Sequence, residues 1–246
     1  MSNFDTVDAM QTILETLNDR QREAVLQTHG PLLVMAGAGS GKTKALTHRI
    51  AYLIHEKKIS PWNILAVTFT NKAANEMKNR IMKIVGAEKE SDMPNVGTFH
   101  ATCVRILRKT IHNLDYENSF VIYDTADQQI LMKHVMADLH IDEKTVPPRA
   151  ILGQISNAKN QLIGPKEFQA FVNNNFTEKV AEAYEHYQRS LKKANALDFD
   201  DIIMKTVEIF QGLPQILDQY QEKFRFISID EYQDTNHAQY ILTNLL

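Results

Sequence analysis

The polar and apolar positions of this 246-residue chain follow two rhythms. Short apolar runs punctuated by glycine, asparagine or threonine predict strands, and apolar residues three and four apart predict helices. Asn18 with Gln21 three residues on predicts a capping arrangement that opens a helix through Leu26. Leu32–Ala36 is an apolar run that turns at once into glycine and serine, and a helical stretch follows from Lys42 to about His55. The alternation then repeats. Ile64–Phe69 predicts a strand and Asn71 a cap, while Ala73, Ala74, Met77, Ile81 and Ile84 lie at helical spacing. Val96–Thr98 predicts a third strand, leading into a helix through about Arg108, and Phe120–Tyr123 predicts a further one. Strands alternating with helices build right-handed crossover units, so an α/β fold with a parallel sheet is expected.

From about Asp124 to Ala196 the strand signals vanish. Thr125, Pro147 with Pro148, Pro165 and Thr177 predict successive helix starts, with a loop at Asn173–Asn175. Strand pattern returns at Phe224–Ile229, after helices around Asp201–Phe210 and Pro214–Tyr220. The expected organisation is therefore an α/β domain made of 1–123 and 197–246, interrupted by an inserted all-helical subdomain over 124–196. Thr235–Leu246 predicts a helix that ends on Ile241, Leu242, Leu245 and Leu246 without a cap, which reads as a chain truncated before a further domain.

Composition narrows the class. With 43% hydrophobic and 23% charged residues, disorder is excluded as the main state. The single cysteine, Cys103, excludes an internal disulfide and any cysteine-rich zinc module, and fits a reducing compartment. A secretory leader pattern and a long uninterrupted apolar run are both missing, so a cytoplasmic protein with no membrane partner is expected. A net charge of −3 argues against a simple cationic nucleic-acid binder. Its distribution argues otherwise: residues 36–110 carry 13 basic against 5 acidic side chains, the rest 14 against 25. That separation fits an anion-facing region on an acidic body, or lysines that merely decorate helix surfaces.

The sharpest chemical signal is Ala36-Gly37-Ala38-Gly39-Ser40-Gly41-Lys42-Thr43, placed between an apolar run and a helix. Small residues let backbone N–H groups curl around phosphate oxygens, and a helix N-terminus adds positive partial charge. Lys42 is then the residue for the β- and γ-phosphates, and the Thr43 hydroxyl a ligand for Mg²⁺. Ala36 stands where the general pattern has its first glycine. Such a loop needs a carboxylate at the end of a neighbouring strand, and Phe226-Ile227-Ser228-Ile229-Asp230-Glu231-Tyr232-Gln233-Asp234 supplies an apolar run closing on two acids. Asp230 is the candidate Mg²⁺ partner, Glu231 the candidate general base, and Gln233 a candidate sensor of the γ-phosphate or the attacking water.

Together these motifs resemble the superfamily 1 DNA helicases of the UvrD/Rep/PcrA group. The resemblance rests on Leu17-Asn18 to Gln21, the phosphate loop, Thr68 to Met77, Gly97-Thr98-Phe99-His100, Leu197 to Asp201 and Asp230 to Asp234, in the family's order along nearly the whole chain. It implies a RecA-like P-loop NTPase domain that uses ATP and Mg²⁺, with Gln21 recognising the adenine edge. It also implies that Thr68, Phe69, Thr70 and Asn71 grip single-stranded DNA, and that Thr98 and His100 belong to a second strand-contacting segment. Phe69 matches a base-stacking position. Phe99 stays open between core and DNA contact. Ala101 and Val104 differ from the family pattern without touching a named role.

The resemblance further implies a 3′-to-5′ helicase that moves on single-stranded DNA and unwinds duplex in repair and replication, binds single-stranded and junction DNA, acts with repair and replication proteins, and works as a monomer. The family's Gly-Asp to Gln-Ser-Ile-Tyr motif and its second motor domain, with the arginines that complete the ATP site, lie outside these 246 residues. Two other readings compete. One is a nucleotide- and weak DNA-binding module without turnover of its own; the other is a P-loop ATPase of a different kind, such as a kinase-like or recombinase-like protein.

Overall fold

The computed structural model describes residues 13–37, 39–87, 89 and 92–246. Along the chain these form α1 (Asp19–Leu26), α2 (Lys42–His55), β1 (Ile64–Thr68), α3 (Asn71–Val85), β2 (Asn95–Thr98) and α4 (Phe99–Thr110). Then come β3 (Val121–Ile122), α5 (Thr125–Asp138), α6 (Pro148–Asn160), the short α7 (Pro165–Phe168) and α8 (Asn175–Lys193). The last elements are β4 (Ala196–Leu197), α9 (Phe199–Gly212), α10 (Pro214–Lys223), β5 (Phe226–Ile229) and α11 (His237–Leu245). The fold is α/β with parallel sheets and is mostly helical. No described helix is long and apolar enough to cross a membrane.

Contacts divide the chain into two units. The first holds the described residues up to Phe99 together with Gln219–Asp234. Its sheet has the order β2-β1-β5, all parallel, with Val67 opposite Gly97 on one side and Ile229 on the other. β1 is central, and all five of its residues are buried. That is what an unbroken Ile-Leu-Ala-Val run predicts for a strand covered on both faces. Ile50 and Leu53 of α2, Met77 and Ile81 of α3, Ile64, Ala66 and Met93 form one apolar cluster of this unit. Ile13, Leu17, Val25, Ala51 and Tyr52 form another.

Leu32–Ala36, expected as a strand, is not one. The segment has no regular structure, Leu32, Leu33 and Val34 are exposed, and Met35 is 90% exposed. An apolar run becomes a strand only when a neighbour supplies the ladder of hydrogen bonds. Among the described residues β5 pairs with β1 alone, and no fourth strand joins the sheet. The loop that follows is nonetheless held at the start of α2.

The second unit comprises His100–Asp218 and Thr235–Leu246. The helical stretch 124–196 lies inside it, with 100–123, 197–218 and 235–246 added. β3 and β4 form a two-residue parallel pair, Val121 opposite Ala196 and Ile122 opposite Leu197. β4 carried no strand signal in the sequence, because two residues cannot show a period. A large apolar cluster runs through α5, α6 and α8, from Met132 and Val135 to Ile151, Ile155, Val180, Tyr184 and Leu191. Helix starts follow side-chain chemistry: Asp124 caps α5, Asp198 caps α9 and Asn236 caps α11, each in a reciprocal capping box. Two starts shift from expectation. Thr70 rather than Asn71 caps α3, and Asn174 caps α8 with Thr177 at its third position, since in each case the earlier side chain reaches the free amide.

Candidate functional site

The phosphate-loop region is built by its glycines. Gly39 and Gly41 have φ of +74° and +83°, a conformation that side chains disfavour. The Ser40 hydroxyl donates to the Gly37 carbonyl at 2.7 Å, closing a tight turn. Gly41 is the N-cap of α2 and offers no side-chain acceptor, so the first amides of that helix face an open anion position. Ala38 lies outside the described residues; Ala36 and Gly37 lead into the turn from the irregular segment before it. Gln21 reaches the same loop: its Oε1 accepts from the Asn18 N–H at 3.2 Å and its Nε2 donates to the Ser40 carbonyl at 2.9 Å. A Cβ at position 41 would come within 2.6 Å of that Nε2, so the Gln21 amide would have to shift to admit it.

Lys42 and Thr43 meet the acids from far along the chain. The Thr43 hydroxyl donates to Asp230 Oδ2 at 3.4 Å, and Lys42 Nζ donates to Glu231 Oε2 at 3.2 Å. β5 delivers the acids: the Asp230 N–H donates to the Val67 carbonyl at 3.0 Å, which carries the β1–β5 ladder one residue further. Glu231 then turns with φ of +50°, a left-handed conformation rare for a residue with a side chain. Gln233 donates to Glu231 Oε2 at 2.6 Å. Hydrogen bonds from Gln233 and Lys42, together with the Lys42 charge, hold the Glu231 carboxyl below its usual range. Asp230 moves the other way, pushed up by burial and by the neighbouring Glu231 charge.

The arrangement suits a phosphate with a hard cation. Thr43 and Asp230 offer a hydroxyl and a carboxylate oxygen converging on one point, the donor types that Mg²⁺ takes. No group of three His, Cys, Asp or Glu residues among those described is placed to hold a metal by itself. A site with two protein oxygens fits an ion that completes its shell with water and substrate phosphates.

The candidate DNA-contacting residues are distributed differently. Thr68 is buried, and its hydroxyl donates to the Thr70 carbonyl at 3.1 Å, so any contact at this position would come from neighbouring backbone. The Thr70 side chain accepts from the Ala73 N–H at 3.1 Å, and Asn71 is exposed on the first turn of α3. Phe69 is half-buried and sits edge-on to Phe99, ring centroids 5.6 Å apart. Phe99 and Thr98 are buried. His100 belongs to the second unit, where it stacks on Phe199 with centroids 3.8 Å apart. Burial pushes His100 down to about 4, so it is a neutral ring at neutral pH.

This geometry accompanies a sequence match. Residues 17–246 fit the UvrD/REP helicase N-terminal domain family. The chain belongs to that family. It is 49% identical over 238 residues to the ATP-dependent DNA helicase PcrA of Leuconostoc citreum, covering 97% of this chain and 32% of that protein. It is 50% identical to proteins of the same name from Staphylococcus aureus strain Mu50, over 237 residues, and from Bacillus subtilis strain 168, over 234. The chain thus spans about a third of the length of these curated helicases.

Two features of this UvrD/REP-type domain escaped the sequence. Phe199, exposed and stacked on His100, gave no signal beyond its place among the aspartates. Lys159 is wholly buried, with Nζ 2.6 Å from Asp198 and 2.9 Å from Asp201. One signal existed: Lys159 lies four residues after Ile155 and eight after Ile151, on the apolar stripe of α6.

Proposed function

We propose that this chain is the ATP-binding N-terminal part of an ATP-dependent DNA helicase of the cytoplasm that moves 3′-to-5′ along single-stranded DNA and unwinds duplex in repair and replication. In this reading 1–123 and 197–246 are a RecA-like P-loop domain and 124–196 an inserted helical subdomain. The observation that carries it is the convergence of Thr43 with Asp230, and of Lys42 with Glu231, across 187 and 189 residues. The named relatives, which are DNA helicases, supply the substrate class.

The residues divide the work as follows. Loop amides and the α2 N-terminus bind the phosphates, Lys42 neutralises the terminal ones, and Gln21 reads the adenine edge once its bond to Ser40 opens. Thr43 and Asp230 would hold Mg²⁺, which neutralises phosphate charge. When a phosphate draws Lys42 away, Glu231 keeps its bond from Gln233 and is left ionised, as a general base for water must be. Thr68, Phe69, Thr70, Asn71, Thr98 and His100 contact single-stranded DNA, Thr68 through its backbone.

A second reading is favoured by the share of the relatives' length that the chain covers: residues 1–246 bind nucleotide and weakly bind DNA without turnover. Fast phosphoryl transfer needs positive charge on the transition state beyond one lysine. Steady-state ATPase measured with and without single-stranded DNA, on residues 1–246 and on a helicase of the relatives' length carrying them, decides. Turnover stimulated by DNA only in the long form supports both statements. Robust stimulated turnover by residues 1–246 alone overturns the second reading, and its absence from the long form overturns the first.

A further inference from the structure

Within the first unit, α1 is a short helix that its own sequence does little to hold in place. Of its eight residues only Val25 is buried, and a helix of about two turns is marginal in water by itself. Its N-terminal end is closed by the Asn18–Gln21 capping box, and Gln21 Nε2 ties that end to the Ser40 carbonyl of the phosphate loop. Its C-terminal end carries no basic residue in the last turn, where the free carbonyls gather negative partial charge.

The missing cation comes from α2. Arg49 Nη1 donates to the Ala24 carbonyl at 2.8 Å and to the Gln27 carbonyl, across 25 and 22 residues of chain. The guanidinium is half-buried, and burial pulls it below its usual range. A cation drawn out of water costs free energy unless hydrogen bonds replace the water, and the two carbonyls with the charge of the helix end do so. A neighbour on the same helix holds the chain ahead of α1, because Lys44 Nζ donates to the Thr16 carbonyl. α2 begins at the phosphate loop and carries Lys42 and Thr43 on its first turn, so Arg49 fixes α1 to the element that positions those residues.

We propose that Arg49 is a positioning residue for Gln21, clamping α1 to α2 while the Gln21 amide gives up Ser40 for the adenine edge. The inference rests on the role given to Gln21 in the function proposed above; the clamp itself does not. Both ends of the Gln21 amide are in use, Oε1 on the Asn18 N–H and Nε2 on Ser40. Reading a base edge takes a donor and an acceptor, so it releases the tie between α1 and the loop at the moment when the amide must be held in place. Ala24 lies three residues from Gln21, about 4.5 Å along the helix axis, which leaves a clamp there little lever arm. A hydrogen bond stretched to about 3.6 Å is no longer one, so a drift of under about 1 Å at Gln21 forfeits the base contact.

Calorimetric titrations of residues 1–246 compare ATP with inorganic tripolyphosphate, each with Mg²⁺. The wild-type chain is expected to prefer ATP. Arg49→Leu should weaken ATP about five- to tenfold, the factor that one ordinary hydrogen bond represents, and leave tripolyphosphate within about twofold. General damage to the unit moves both ligands together, so equal losses overturn the proposal, as does an unchanged ATP affinity. Placed on Gln21→Ala, Arg49→Leu should cost nothing further, since the two act through one contact; additive losses overturn it as well. Should Arg49→Leu not fold, Arg49→Gln, neutral and too short to span both carbonyls, carries the same comparison. A wild-type chain that binds tripolyphosphate as tightly as ATP defeats the adenine role of Gln21. A preference for ATP that survives Arg49→Leu defeats only the clamp. Backbone amide exchange without nucleotide, followed by mass spectrometry, tests the clamp independently of either ligand. Exchange over residues 19–27 should be about five- to tenfold faster in Arg49→Leu, with α3 unchanged. Unaltered exchange in 19–27, or equal acceleration in α3, overturns it.

Discussion

The molecule holds two constellations of one lysine with two aspartates or glutamates, and they have opposite physics. Lys159 with Asp198 and Asp201 is sealed: all three side chains are essentially inaccessible, and Tyr187 and Gln188 fill the remaining hydrogen-bond positions. Lys42 with Glu231 and Asp230 is open: the lysine and Glu231 side chains keep 32% and 42% of their exposure and share one bond of 3.2 Å. A sealed ion pair cannot be traded for a ligand without exposing a bare charge to low dielectric, whereas an open one exchanges partners at little cost. Similar residue types therefore serve as a sealed structural tie in one unit and as an open, exchangeable pair in the other, the one assigned to phosphate in the function proposed above.

Stability separates them most sharply. Lys159→Ala leaves two buried carboxylates uncompensated and should destabilise the chain by about 3–5 kcal/mol in urea unfolding. Lys42→Ala should change the same measurement by less than about 1 kcal/mol. Comparable losses at both positions would erase the distinction. Nucleotide affinity should invert the order. Lys42→Met, which keeps the stem and removes the charge, should weaken binding of a fluorescent ATP analogue by about 1.5–3 kcal/mol, the worth of a charged hydrogen bond. Phe69→Ala should weaken single-stranded DNA binding, followed by anisotropy, by about 1–3 kcal/mol. Unchanged DNA affinity would return Phe69 to a packing role against Phe99.

The smallest effect is a pH dependence from two groups of the second unit, Asp198 and His100. Burial and the Asp201 charge push Asp198 up to about 6, while burial pushes His100 down to about 4. Asp198 binds its proton more tightly folded than unfolded, so its contribution to stability is full below about pH 4 and lost as pH rises through about 6. His100 binds its proton less tightly folded, so its contribution is present above about 6.5 and lost as pH falls through about 4. The slopes oppose each other in one window. Asp198→Asn should unmask stability that rises from pH 4 to 6.5 in urea titrations, and His100→Phe stability that falls. Parallel slopes in the two variants would contradict the assignment.

Legibility differed between the same two regions. Gly37 to Thr43 and Asp230 to Gln233 stood out in the sequence because phosphate and Mg²⁺ chemistry, the role proposed for them, demands particular residue types in a fixed local order. Their meeting in space is where the sequence placed it, at a strand end beside the loop. Leu32–Ala36 misled, because its apolar character records a preference for burial and not the presence of a ladder partner. Lys159, Asn160 and Asn236 were silent, because their partners lie 39, 42, 40 and 76 positions away and no short motif records such pairs.

What the chain alone determined was local: the helix caps at Asn18, Asp124 and Asp198, the buried run of β1, the glycines of the phosphate turn and the two acids after β5. Propensity, capping and backbone freedom act over a few residues, so they are written into adjacent letters. Tertiary structure alone decided which lysine is sealed and which is open, and whether an apolar run finds a neighbour. Those outcomes depend on solvent exclusion and on partners brought together by folding, quantities that no stretch of sequence carries by itself.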